Sequence, residues 1–276
     1  MAVEVKINSR PVRAVGVDAK RRQNWFYSAM WLAAVVVVIA GFGRSFYAIA
    51  NGTSESSVIV HIHTAVFGAW LVFFIVQVWF IASRNVRLHM TLGFFGIALA
   101  ALMVIVGTAT AISGAMRGFT LDPKLDSLAY MAFPLGNLLA FAVFVALAFR
   151  YRRRPEVHRR LMLLATVGPL MTAPLAHFFA QLPDRFNPRP PIYFLMLFII
   201  LLFSCAVYDR FTLGRFNKVS LWGAIAMFVW GNTLAALIAP SVPWHRIAEW
   251  LVNLSLITLL PDQIPRSVGP LVRIRN

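Results

Sequence analysis

The stretch VIVHIHTAVFGAWLVFFIVQVWFIA, Val58–Ala82, is followed by Ser83-Arg-Asn-Val-Arg-Leu-His89 and then by a second apolar run from Met90 to Ala115. Each run exceeds the about 20 residues that a helix needs to cross the hydrocarbon of a bilayer. Neither contains Asp, Glu, Lys or Arg. The pair reads as a transmembrane hairpin that turns through a short arginine-bearing loop. A closed β-barrel would show short segments of alternating polarity instead, and the sequence has none.

The pattern repeats outward from this hairpin. Further apolar runs lie near Trp25–Phe46, Leu128–Phe149, Leu161–Phe179, Ile192–Val207 and Leu221–Ala239. The chain of 276 residues is 59% hydrophobic and 13% charged, with a mean hydropathy of +0.72. Soluble domains carry about 25% charged residues. The expected fold class is therefore all-α, a polytopic transmembrane helix bundle of about seven spans. Residues 1–24 form a basic tail, 25–240 the transmembrane domain, and 241–276 an amphipathic C-terminal segment.

The formal charge of +16 follows from topology rather than from nucleic-acid binding. Seventeen Lys and Arg residues fall in the first tail and alternate loops, among them Arg84, Arg87, Arg150 and Arg152–Arg154. The opposite short loops hold only Arg117, Lys124, Arg185 and Arg189. Basic residues mark the cytoplasmic side, so the N-terminus is expected there. It does not read as a signal peptide, because about 24 polar and basic residues precede the first apolar run and no small-residue cleavage site follows it. Ile247–Leu260 is apolar but short, with Ile247, Trp250, Leu251 and Leu254 on one face. It fits a helix lying on the outer surface, or else a short eighth span.

Several chemistries are excluded. All ten carboxylates, Asp209 included, fall in loops, tails or span ends, whereas ion-coupled transporters usually keep one within the membrane. No span contains Lys, so no retinal Schiff base forms. No Glu-x-x-His pair is present to build a diiron centre. A single Cys205 allows neither an internal disulfide nor a cysteine cluster.

The histidines remain. Arg84-Asn-Val-Arg-Leu-His89 and Arg153-Arg-Pro-Glu-Val-His158 are similar turns, which suggests a four-helix core over 57–182 flanked by spans one, six and seven. Depth sorts its five histidines into an outer group, His61, His63 and His177, and an inner pair, His89 and His158. Two opposed imidazoles at one depth on separate helices suit a six-coordinate b-type haem. Small residues would leave room for the macrocycle: His89, Gly93, Gly96, Ala100 and Gly107 form one stripe, and His61, Ala65 and Gly68 another. Such stripes equally serve close helix packing. His61 and His63 point about 200° apart on a helix, so only one of them faces a given iron; His63 sits deeper and is the preferred ligand, with His177 opposite it as the expected second ligand of the outer site. Arg44 is the candidate propionate partner at the outer site, and Arg84, Arg87 and Arg159 at the inner one. Pro169 and Pro174 interrupt span five before His177. Gln77, Asn137, Gln181 and Asn232 are buried polar candidates that suit hydrogen bonding between helices.

The run Gly41-Phe-Gly-Arg-Ser-Phe46, then His61-Ile-His63, Trp70, Gln77, Arg87-Leu-His89 and Gly93, resembles a family of poorly characterised bacterial inner-membrane proteins. The segment Arg154-Pro-Glu-Val-His158-Arg-Arg-Leu-Met-Leu-Leu-Ala165 does so too. The resemblance implies a multi-pass protein of the bacterial inner membrane and no particular activity. More distantly, the four-helix arrangement is similar to transmembrane b-type cytochromes, which implies haem b, electron transfer, and quinone or a redox protein as partner. Span four has no histidine, a departure from their pattern. The alternatives are a copper or zinc site on His61, His63 and His177, and a facilitator or structural membrane protein without cofactor.

Overall fold

The computed structural model describes residues 12–53, 57–182 and 192–259, and the regular elements among them are all helical. In chain order they are α1 (Val12–Ala50), α2 (Val58–Ala82), α3 (Val86–Met116), α4 (Ser127–Tyr130), α5 (Ala132–Arg150), α6 (Pro155–Val167), α7 (Thr172–Ala180), α8 (Ile192–Leu213), α9 (Lys218–Thr233) and α10 (Val242–Leu259). Among the described residues, seven segments are long and apolar enough to cross a membrane: Arg22–Ala50, Val58–Ala82, Val86–Met116, Ser127–Arg150, Pro155–Ala180, Ile192–Leu213 and Lys218–Ile238. The chain is a multi-pass membrane protein. The start of the basic tail, residues 1–11, and the tail beyond Leu259 lie outside the described residues.

The spans match the apolar runs at their centres, and all but Val58–Ala82 extend past them at one end or both. Side-chain caps explain part of the excess, because they satisfy the free N–H groups of a first turn. Asn85 Oδ1 accepts from Leu88 N–H at 3.4 Å, Asp126 Oδ1 from Ala129 N–H at 2.8 Å, and Asn217 Oδ1 from Val219 N–H at 2.9 Å. Span five begins at Pro155, six residues before its apolar run. Proline suits a first helical turn, where its missing N–H costs nothing.

Helices α2 and α3 form the hairpin, with Arg84 at a positive φ of 62° in the turn, a conformation uncommon for a side-chain-bearing residue. Beyond it, α3 packs on α5, α5 on α6, α1 on α2 and α7, and α9 on α6 and α8. Span five is the centre of the bundle: 61% of its membrane window is buried inside the protein, against at most 33% for any other span. It is broken at Gly168, with a 3-10 turn over Pro169–Met171 joining α6 to α7. Around it, Ile39, Val72, Phe95, Ile105, Ile200 and Trp222 are exposed and form the lipid-facing surface.

Polar groups join the spans. The Trp31 indole donates to the Leu71 carbonyl at 2.8 Å, Trp70 to Thr166 Oγ1 at 3.2 Å, and Trp230 to the Gly136 carbonyl at 3.0 Å. Asn137 Nδ2 donates to Thr172 Oγ1 at 2.8 Å, and Gln181 Nε2 to the Gly41 carbonyl at 2.7 Å. These two amides link helices, whereas Asn232 bonds the Phe228 carbonyl of its own helix.

Helix α10 packs on α3 and α4 through Trp244, Ala248, Leu251 and Val252. It is not among the segments apolar enough to cross a membrane. The expected apolar face divides: Leu251 turns inward, while Ile247, Trp250 and Leu254 are exposed.

Candidate functional site

Helix α3 begins and α6 begins at the arginine-rich end of the bundle, beside Arg84, Arg87 and Arg150. Each carries its histidine one turn in, and the two meet. The His89 and His158 ring centroids lie 6.2 Å apart with the rings at 78°. His158 Nδ1 is 2.9 Å from the Ala148 carbonyl of α5, which fixes the ring and leaves Nε2 free for another partner. His89 Nδ1 is buried and has no hydrogen-bond partner. Gln77, at the same level on α2, has both side-chain atoms buried without a partner. Buried polar atoms are normally satisfied; the Gln77 amide and His89 Nδ1 are not, while the His89 ring also meets the Gln77 backbone.

The spacing also has a meaning. Two imidazoles bound to one metal atom through bonds of about 2 Å place their ring centres about 6 Å apart. Gly93, one turn above His89, has open space where a side chain would stand. The rest of the glycine stripe is filled. A Cβ on Gly96 would meet the Phe73 ring, and one on Gly107 would meet Leu138 and Phe67. Those two glycines serve helix packing.

The outer group is arranged differently. His61 is exposed and His63 half-buried. The His63 ring stacks on Phe67, with centroids 4.0 Å apart, and its Nδ1 is buried without a partner. His177 lies against Phe42 and Phe119, at 4.7 and 6.0 Å. Among the described residues no ring contact joins His63 to His177. None of them forms a group of three or more His, Cys, Asp or Glu side chains placed to hold a metal ion. Arg44 is exposed near the end of α1.

One polar centre was not foreseen. Asp209 is no loop residue: it lies within α8, 1% exposed, and pairs with Arg160 of α6, itself 2% exposed. Arg160 Nε donates to Asp209 Oδ2 at 2.8 Å and Nη2 to Oδ1, while Nη1 donates to the Glu156 carbonyl at 2.6 Å. Ser220 of α9 donates to Asp209 Oδ2 at 2.5 Å. The hydropathy pattern stops at Val207 because Asp209 and Arg210 interrupt it. The available signal was that Arg160 directly precedes the apolar run from Leu161 and Asp209 directly follows the one that ends at Val207-Tyr208.

Fold and site together define a polytopic α-helical membrane protein with two histidine rings 6.2 Å apart on spans three and five. No family model matches the chain, and no curated protein or solved structure is similar to it, so the resemblances named above rest on the quoted residues alone.

Proposed function

We propose that this membrane protein is a haem b-binding electron-transfer subunit in which His89 and His158 would hold the iron. The observation that carries the reading is the 6.2 Å separation of these rings beside unpartnered buried nitrogen. Two histidines fall short of the ligand set of a zinc ion, which takes four protein ligands in a structural site or three in a catalytic one. They suffice for haem, whose macrocycle fills the other positions. When bound, haem b would supply one-electron transfer. The protein's part is to hold the rings. The Ala148 carbonyl orients His158 as outer partners of ligating histidines do, the open side of Gly93 leaves room, and Arg84 and Arg87 offer cations for the propionates. The location favours exchange with a quinone or redox protein at the cytoplasmic face of a bacterial inner membrane.

Absorption spectroscopy of the detergent-purified protein from a haem-replete host tests this. A Soret band that shifts on dithionite addition is expected. His89→Ala or His158→Ala should abolish it, and His63→Ala with His177→Ala should leave it. A colourless wild-type protein, or a band that survives both inner substitutions, refutes the assignment.

A further inference from the structure

At the arginine-rich end, the starts of α1 and α6 and the end of α8 border an open cavity of about 350 Å³, lined among others by Arg22, Gln23, Arg159, Arg160, Tyr208 and Asp209. Three arginines face one aspartate there. Asp209 is already committed, with both oxygens held by Arg160 and one also by Ser220. Glu156 pairs with both Arg159 and Arg160, so three guanidinium groups meet two carboxylates, and among the described residues the one left without a carboxylate is that of Arg22. Arg159 reaches Glu156 through Nη2, but its Nε is buried with no hydrogen-bond partner. A buried guanidinium N–H without an acceptor is costly, and the described residues offer it none. Gln23 and Tyr208 add neutral donors at the wall.

We propose that this cavity binds a phosphoryl anion, either the phosphate ester of a lipid headgroup or a free phosphate compound. Guanidinium forks match phosphate oxygens in geometry and charge. The volume exceeds that of a bare phosphate and leaves room for what the ester carries. Anionic lipid is enriched on the side of a membrane that basic loops face. Neither His89 nor His158 lines the cavity, although Arg159 directly follows His158 in α6.

The test uses delipidated full-length protein in detergent, with the thermal unfolding midpoint as readout, because a ligand of the folded state raises it. Inorganic phosphate is titrated in one arm. In the other, micelles are doped with phosphatidylglycerol, with diacylglycerol as the phosphate-free control. A rise with inorganic phosphate identifies a soluble ligand, and a rise with phosphatidylglycerol alone identifies a headgroup. Arg159→Gln should weaken the response about tenfold. Arg22→Gln, at an exposed position, should do the same and carries the test if Arg159→Gln does not fold. Arg153→Gln, at the same end but outside the cavity, should leave the response intact. The proposal is overturned if neither probe exceeds its control, or if Arg153→Gln weakens the response as much as the cavity variants.

Discussion

At Gly41 the backbone of α1 lies directly against that of α7. A Cβ there would overlap the carbonyl group and Cα of Pro174, backbone atoms that cannot rotate away. Gly68 of α2 has nothing within 4 Å of the same position. Overpacking a tight contact typically costs about 1–3 kcal/mol, while alanine in an open helix position is favoured over glycine. Gly41→Ala is therefore expected to lower the thermal unfolding midpoint in detergent, and Gly68→Ala to leave it unchanged or raise it. Equal effects would mean that the α1–α7 contact is not closely packed. Sequence cannot separate these two glycines, because each sits in an apolar helix and the difference lies in what the neighbouring span presents. The same limit applied to the histidines. Their depth follows from helix rise, so the levels of His89 and His158 were legible. Phe67 stands one turn beyond His63 on α2, where helical spacing alone places it, whereas Phe42 of α1 and Phe119 after α3, which flank His177, are distant in the chain and only the packing shows them.

Helix α10 is tied to the start of α4 by two bonds. The Trp244 indole donates to the Leu128 carbonyl at 2.8 Å, and His245 Nε2 lies 3.0 Å from Asp126 Oδ2. The Ser241 carbonyl, then the Asp126 carboxylate, raise the His245 pKa above its usual value. Burial works against ionisation of Asp126, but the Ala129 N–H and His245 outweigh it and hold the pKa below the usual carboxylate value. The raised histidine pKa means that its contribution is complete below about pH 6.5 and fades as pH rises through the folded value. The lowered aspartate pKa means that its contribution is complete above about pH 4 and is lost in more acidic solution. Both side chains are partly exposed, so the pair contributes less than about 1 kcal/mol. Hydrogen exchange over residues 242–254, corrected for intrinsic rates, is expected to quicken as pH rises past the histidine range. His245→Gln should flatten that dependence, and an unchanged pH profile would rule out the clamp. The amphipathic run was legible here. Its docking face was not, since Trp244 and Ala248 precede or interrupt the apolar pattern that suggested Trp250 and Leu254.

On the scale of the whole bundle, span five is the hub, and its charged beginning is what the hydropathy pattern obscured. Arg160 sits on α6, Asp209 on α8 and Ser220 on α9, so one ionic cluster joins three helices at the arginine-rich end. Removing one member of a buried ion pair leaves the other unpaired, which costs about 3–5 kcal/mol, whereas replacing both by apolar residues of similar size is often neutral. Asp209→Leu alone should therefore lower the unfolding midpoint sharply, as should Arg160→Met alone. The double variant Arg160→Met with Asp209→Leu should recover most of the loss, because it leaves neither charge of the pair buried without its partner. The unfolding midpoints of the four proteins in one detergent decide the matter. If the double variant loses as much as both single variants together, the charges act independently, and the junction of α6, α8 and α9 is held by the surrounding apolar packing rather than by the pair.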